Sequence, residues 1–540
     1  MEGDNTQKST SEQRIFETMM HTFEHDMEDL PNEKKEEILN IFKNHSQLNQ
    51  ETEFNEIKNR LHETIKKGDT EYIKILLGKK IINDTKDMEF RIDEPNKTAS
   101  LIKVSQNLEN VIVPRTVKYK LNNYLVTSIS SLGFSISNSN SNIKTIKFED
   151  GSAVRTFYKS AFAFSKVEEI HFPNSLTDLK EGWCCATSKC KRIIISESND
   201  RFIYKDDKYL LGKSDNKSDN FDILLFVRRD INEVSLPSNI KIIDSCSFSN
   251  SQIRRISIPA SVTKICESAF FYCRNIQIVE FPENSNLQII CDNAFSNSNL
   301  NAISIPSSVS RIGQNAFSIC RHLKEVEIPK NSNLQAIEKD TFSYSGIEEI
   351  FIPASVKKIG ENAFSDCNKL KRIEIPTNSN LQVICSGAFI WTMIEEIYFP
   401  ESLIELKDYW CCSTRKLKRI VISSSNDRFV FKDDKYLLGK SDNNSDVFDT
   451  LLFVRRDINE ISLPSDIKII GSCSCELLSI TDVSLPPNVE IIGPNSFSSS
   501  NIKQVLIPSS VTKICNNAFS GCENLTKVEF SRNSNLQTIE

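Results

Sequence analysis

Long apolar runs are missing from this chain. None approaches the roughly 18 residues that a membrane-spanning helix needs, so a helical span is not expected. An excess of one charge is missing too: 66 Lys and Arg face 72 Asp and Glu, a net charge of −6, which gives no basic field to draw the chain to nucleic acid. Histidine is sparse, with six in 540 residues, four of them before residue 63, and no compact triad emerges. Neither a G-x-x-x-x-G-K-S/T nor a G-x-G-x-x-G phosphate loop occurs. These absences argue against an enzyme and call for no cofactor. The opening residues, Met1 to Lys8, lack the basic and apolar regions of a secretory leader, which favours a cytoplasmic location. Glycine and proline, 15 and 17 in all, fall mostly at turns.

What the chain does have is one phrase, repeated every 22 to 24 residues: Ile-Pro-x-Ser-Val-x-x-Ile-Gly/Cys-x-x-Ala-Phe-x-x-Cys-x-x-Leu-x-x-Ile. A period of that length means a solenoid, because a single unit cannot bury its apolar face and must stack on its neighbours. In the unit that opens at Ile305, Val326 and Ile328 alternate with Glu325 and Glu327, which predicts one short strand per coil. Pro329 then removes the next ladder donor and turns the chain away. A small polar residue follows each opening by three positions, among them Ser261, Asn284, Ser308, Asn331, Ser355, Asn378, Ser402 and Ser510; its side chain is expected to satisfy backbone groups at the turn. The Ala-Phe pairs, such as Ala269-Phe270, Ala316-Phe317 and Ala363-Phe364, predict an internal spine of stacked Phe.

From Val113 to Glu540 these units resemble the BspA-like class of leucine-rich repeats, found in surface antigens of some anaerobic protists and bacteria. The resemblance implies an α/β leucine-rich-repeat solenoid with a parallel, concave β-sheet, and a surface antigen or adhesin that binds host or extracellular proteins. Openings at Ile258, Ile305, Ile352 and Phe399 lie 47 residues apart with an Asn-Ser-Asn-Leu-Gln unit between, so the building block is a pair of coils. A longer duplication overlies this: Ser196 to Cys246 recurs as Ser423 to Cys473, offset by 227 residues, with nine differences in 51 positions. Each copy follows a Trp-Cys-Cys and reads as an island, at 196–232 and 423–459, built of a hairpin, a polar loop and a return strand. Asp206-Asp207 and Asp433-Asp434 read as turn acids in preference to calcium ligands.

Residues 1–80 read as an α-helical N-terminal region, with Ile15, Met19 and Phe23 at helical spacing, and 81–112 as a polar linker. His21 and His25 share a helix face but name no third ligand, so no metal is expected there. All sixteen cysteines lie after residue 183, at recurring repeat positions, which favours packed, reduced thiols; disulfides between coils are the weaker reading and zinc weaker still.

Function is left to the surface. The outward strand positions include Glu349, Phe351, Arg372, Glu374, Glu396 and Tyr398, which form the candidate protein-binding face. Glu349, Arg372, Glu396 and Arg419 alternate in sign across successive strands, and exposed aromatics such as Phe351 and Tyr398 anchor protein partners. A register shift of one would turn all of them inward. Two settings fit a noncatalytic binding solenoid: a cell-surface adhesin, as the resemblance implies, and an intracellular interaction scaffold. The last coil, Asn533 to Glu540, breaks off before its Ala-Phe, so self-association through an uncapped end is a further expectation.

Overall fold

Residues 34–36, 38, 81–85, 87–105, 107–134, 142–215, 217–442, 445–458 and 460–540 are described by the structure, a computed structural model. They form two compact units, Met1–Leu210 and Leu211–Glu540. Apart from helical positions 34–36 and 38, the region expected to be helical, including His21 and His25, lies outside the described residues.

In the first unit the segment 81–112 is not a linker. It holds strands Ile81–Thr85, Met88–Asp93, Thr98–Val104 and Asn110–Val113. The first three run antiparallel, and Thr98–Val104 then pairs in parallel with Asn122–Ile129. The cause is legible in Met88, Phe90 and Ile92, which are buried while Glu89, Arg91 and Asp93 between them are not: period two with one face in the core. From there parallel coils follow, with Thr156–Phe157 and Asp178–Leu179 extending one sheet, and Asn110–Val113, Thr145–Phe148, Glu169–His171 and Arg192–Ile194 forming another.

The second unit repeats one coil. A three- or four-residue front strand is followed by Pro, a two-residue back strand and a tight turn. Eight front strands, from Arg255–Ser257 to Arg419–Ile422, form one parallel sheet. The predicted spine is present: Phe248, Phe270, Phe295, Phe317, Phe342, Phe364 and Phe389 stack in sequence with centroids 4.5 to 5.7 Å apart and planes within 11°. The stack ends at Trp410, which meets Phe389 edge-on. The backbone explains the change of geometry. Phe364 N–H donates to Ala388 O and Phe389 N–H donates to Trp410 O, so Trp410 fills the Ala slot and Cys411 the Phe slot. The order small-then-large is reversed at this coil.

The expected polar row holds for serine and for Asn488, whose side-chain amide donates to Ser465 O at 3.0 Å. Ser261, Ser308, Ser355, Ser402 and Ser510 each donate a hydroxyl to a carbonyl of the preceding coil at 2.6–3.0 Å. In the alternating units the duty falls to Asn286, Asn333 and Asn380, two residues beyond the positions expected.

The second island matches its reading. Phe429–Lys432, Tyr436–Gly439 and Thr450–Val454 form an antiparallel meander, and the last strand pairs in parallel with Ile469–Ile470. Asp433 and Asp434 both have positive φ, 54° and 52°, the two-residue turn that suits a right-twisted hairpin. Their carboxylates serve the turn, accepting from the Tyr436 hydroxyl and from Arg455.

The cysteines divide. Cys273, Cys320, Cys367 and Cys522 are packed thiols as expected, each donating to the carbonyl of the preceding coil's spine Phe at 3.0–3.1 Å. Burial pushes Cys273 and Cys320 up to about 11 and Cys367 to about 12. Cys412 and Cys473 depart from that expectation: they form a disulfide across 61 residues, with Cα atoms 5.5 Å apart.

Candidate functional site

The candidate face is built by three adjacent coils. Ile347, Leu370 and Ile394 are fully buried just before the front strands Glu349–Phe351, Arg372–Glu374 and Glu396–Phe399, and fix where each strand begins. At the strand centres Ile350, Ile373 and Ile397 point into the core, so their neighbours on either side must point out. Glu349, Arg372, Glu374 and Glu396 are exposed; Phe351 and Tyr398 are partly exposed. The register therefore holds, and the inward alternative does not occur.

Pairing places Glu349 beside Arg372, Arg372 beside Glu396, and Phe351 beside Glu374. Phe351 and Tyr398 thus stand in one row with Glu374 between them, two strand spacings or about 10 Å apart. The next strand continues the face, with Glu396 beside Arg419 and Tyr398 beside Val421.

The expected charge ladder is only partly closed. Arg419 Nη1 donates to Glu396 Oε2 at 3.2 Å. Arg372 instead turns along its own strand toward Glu374, at 3.7 Å. Both pairs are largely solvated, and such pairs contribute roughly 0–1 kcal/mol each. Their value lies in holding charge around the aromatic row, with Glu325 and Glu349 adjoining on the other side.

Tyr344 and Trp391 also reach solvent and were not expected. Each is 50% exposed and lies seven residues before Phe351 or Tyr398. Both take left-handed backbone, with φ of 56° and 58°, two residues after a spine Phe. Alternation alone would send the residue two beyond an inward Phe inside again; the left-handed turn redirects it outward, so the strand pattern in the sequence does not signal it.

Among the described residues, one group suited to a metal is present by proximity, Cys412, Cys473 and Glu476 with ligand atoms within 4.8 Å of one another. It does not fit an ion. The two sulfurs are bonded to each other, and both Glu476 oxygens accept from Ser413.

Residues 103–206, 225–324, 288–418 and 448–540 match the BspA type leucine rich repeat region, in six copies, and the chain belongs to this family. No curated protein gives a significant match. Among solved structures, a leucine-rich repeat protein from Bacteroides ovatus is 20% identical, covering 84% of this chain and 98% of its own, with a TM-score of 0.36. A leucine rich cell surface protein from Faecalibacterium prausnitzii is 17% identical over 85% of this chain and 98% of its own, at 0.35. The pneumococcal vaccine antigen PcpA is 15% identical over 84% and 99%, at 0.33.

Proposed function

We propose that this chain is a noncatalytic protein-binding solenoid of the surface-antigen kind, and that its front sheet between Glu349 and Tyr398 receives an extracellular or host protein. The observation that carries this reading is the outward row of Phe351 and Tyr398 among Glu349, Arg372, Glu374 and Glu396. Aromatic side chains offer large apolar area at small entropic cost, and a charged surround orients the partner. The Cys412–Cys473 disulfide supports an extracytoplasmic setting, because thiols in the cytosol are kept reduced; it ranks the intracellular scaffold second. Intact cells producing the full chain with a photo-crosslinking residue at position 398 test both parts. The reading expects surface labelling by a membrane-impermeant reagent and a crosslink at 398 to a protein added from outside. Protection from the reagent, with crosslinks only to cytosolic proteins, would contradict it.

A further inference from the structure

The position directly after each back strand forms a row of its own, held in four successive coils by Asp244, Cys266, Cys291 and Gly313. Lys264–Ile265 pairs with Ile289–Ile290 residue for residue, and Cys291 N–H donates to Ile265 O at 2.9 Å. Cys266 and Cys291 therefore follow paired residues on successive coils, at a strand spacing of about 4.8 Å. That lies within the roughly 4.4–6.8 Å between Cα atoms at which a disulfide closes. Their side chains interact, each shifting the titration of the other. Cys266 is buried, whereas Cys291 is partly exposed, and the next coil sets glycine, with no side chain, beside it.

Charge acts on the same thiol. Lys264 and Arg311 lie on the strands either side of Ile289. The interaction with Cys266 lowers the Cys291 thiol to about 7; burial opposes this, Lys264 and Arg311 add to it, and Asp292 works against it. The same interaction and burial raise Cys266. Two other coils supply an internal comparison. Cys385 stands between Gly360 and Lys407, and Cys515 between Gly493 and Glu540, so neither has a stacked thiol. Burial raises both of them.

We propose that Cys266 and Cys291 form a dithiol modification site that exchanges with small-molecule disulfides, with Cys291 attacking and Cys266 resolving. The Cys291 thiolate attacks one sulfur of the small disulfide, forming a mixed disulfide and releasing one thiolate. Cys266 then loses its proton to solvent, attacks the Cys291 sulfur and expels the second thiolate, closing a bond between the two coils. The protein loses two electrons and the small disulfide gains them, ending as two thiols. Cys291, the partly exposed residue, makes the first contact, and the buried Cys266 is its counterpart on the preceding coil.

The native full chain, incubated with limiting oxidised glutathione at neutral pH, quenched in acid and mapped by peptide mass spectrometry, tests this. Cys291 is expected to be modified, or bridged to Cys266, about five-fold faster than Cys385 or Cys515. In Cys266→Ser the bridge disappears and the glutathione adduct accumulates at Cys291. Equal rates at the three positions in the unaltered protein would overturn the proposal whatever the variant does, and so would a Cys291 adduct that persists without bridging while Cys266 is present.

Discussion

Ser413 donates both its backbone N–H, at 2.7 Å, and its hydroxyl, at 2.9 Å, to the carboxylate of Glu476, 63 residues along the chain. The contact replaces something. In ordinary coils each turn donates backbone N–H groups to the next, as Asn362, Phe364 and Asp366 do to Ser386, Ala388 and Ile390. Beyond Trp410 the second island intervenes. There the coils are joined by the Cys412–Cys473 disulfide, by the Ser413–Glu476 pair and by Ser472 donating to Asp408 at 2.7 Å. The positions 227 residues earlier are Ala186 and Ser249, so both partners of the pair differ together at the positions flanking the two copies.

Glu476 also adds negative charge near Arg456, a buried cation that donates to Ser474 O and Cys473 O and stacks on Phe453. Removing the carboxylate leaves the Ser413 N–H without its acceptor and the guanidinium less compensated. Glu476→Ala is expected to cost about 2–4 kcal/mol in urea unfolding, and Glu476→Gln, which keeps an acceptor oxygen, clearly less. Equal losses would show that packing, not the acceptor, matters there.

Phe317 is fully buried and stacked on both sides, 5.2 Å from Phe295 and 5.5 Å from Phe342. Phe317→Ala should destabilise the solenoid by about 3–5 kcal/mol, and the loss should be local at first, because each coil touches only its neighbours. Hydrogen exchange should quicken in the coils around 295–342 before those around 491–514. Uniform quickening across the second unit would contradict the nearest-neighbour picture.

Burial, and then the hydrogen bond to Asp433, push the Tyr436 phenol from 10.0 up to about 12. Between those values the unfolded chain gives up the proton and the folded chain keeps it, so folding stability falls as pH rises from about 10 to about 12. Tyr436→Phe cannot ionise and should flatten part of that fall in chemical denaturation at pH 9 and pH 11. An unchanged slope would show that the phenol titrates alike in both states.

Much of this is legible in the sequence. The Phe spine followed from the Ala-Phe spacing, and the face register from Ile350, Ile373 and Ile397 alternating with charged and aromatic neighbours. The strands at 88–104 read as part of a polar linker, because the polar residues between Met88, Phe90 and Ile92 masked an alternation that lies inside a sheet. Trp410 was harder to place, because its side chain alone does not say that it occupies the Ala slot; only the backbone ladder does. The disulfide was hidden by distance, since it joins coils on either side of an island and Cys473 sits on left-handed backbone, φ 53°. Tyr344 and Trp391 were missed for a related reason: turn handedness, not strand alternation, decides their exposure.

The proposed function has the front sheet bind protein through Phe351 and Tyr398. The most direct measurement is binding of the full chain to the protein crosslinked at position 398, by surface plasmon resonance. Phe351→Ala/Tyr398→Ala is compared with Lys358→Ala on the back strand, after circular dichroism confirms that both are folded. The double variant is expected to weaken binding at least about 30-fold, equivalent to roughly 2 kcal/mol, while Lys358→Ala leaves it unchanged. Equal affinity in the folded double variant would contradict the assignment of this face.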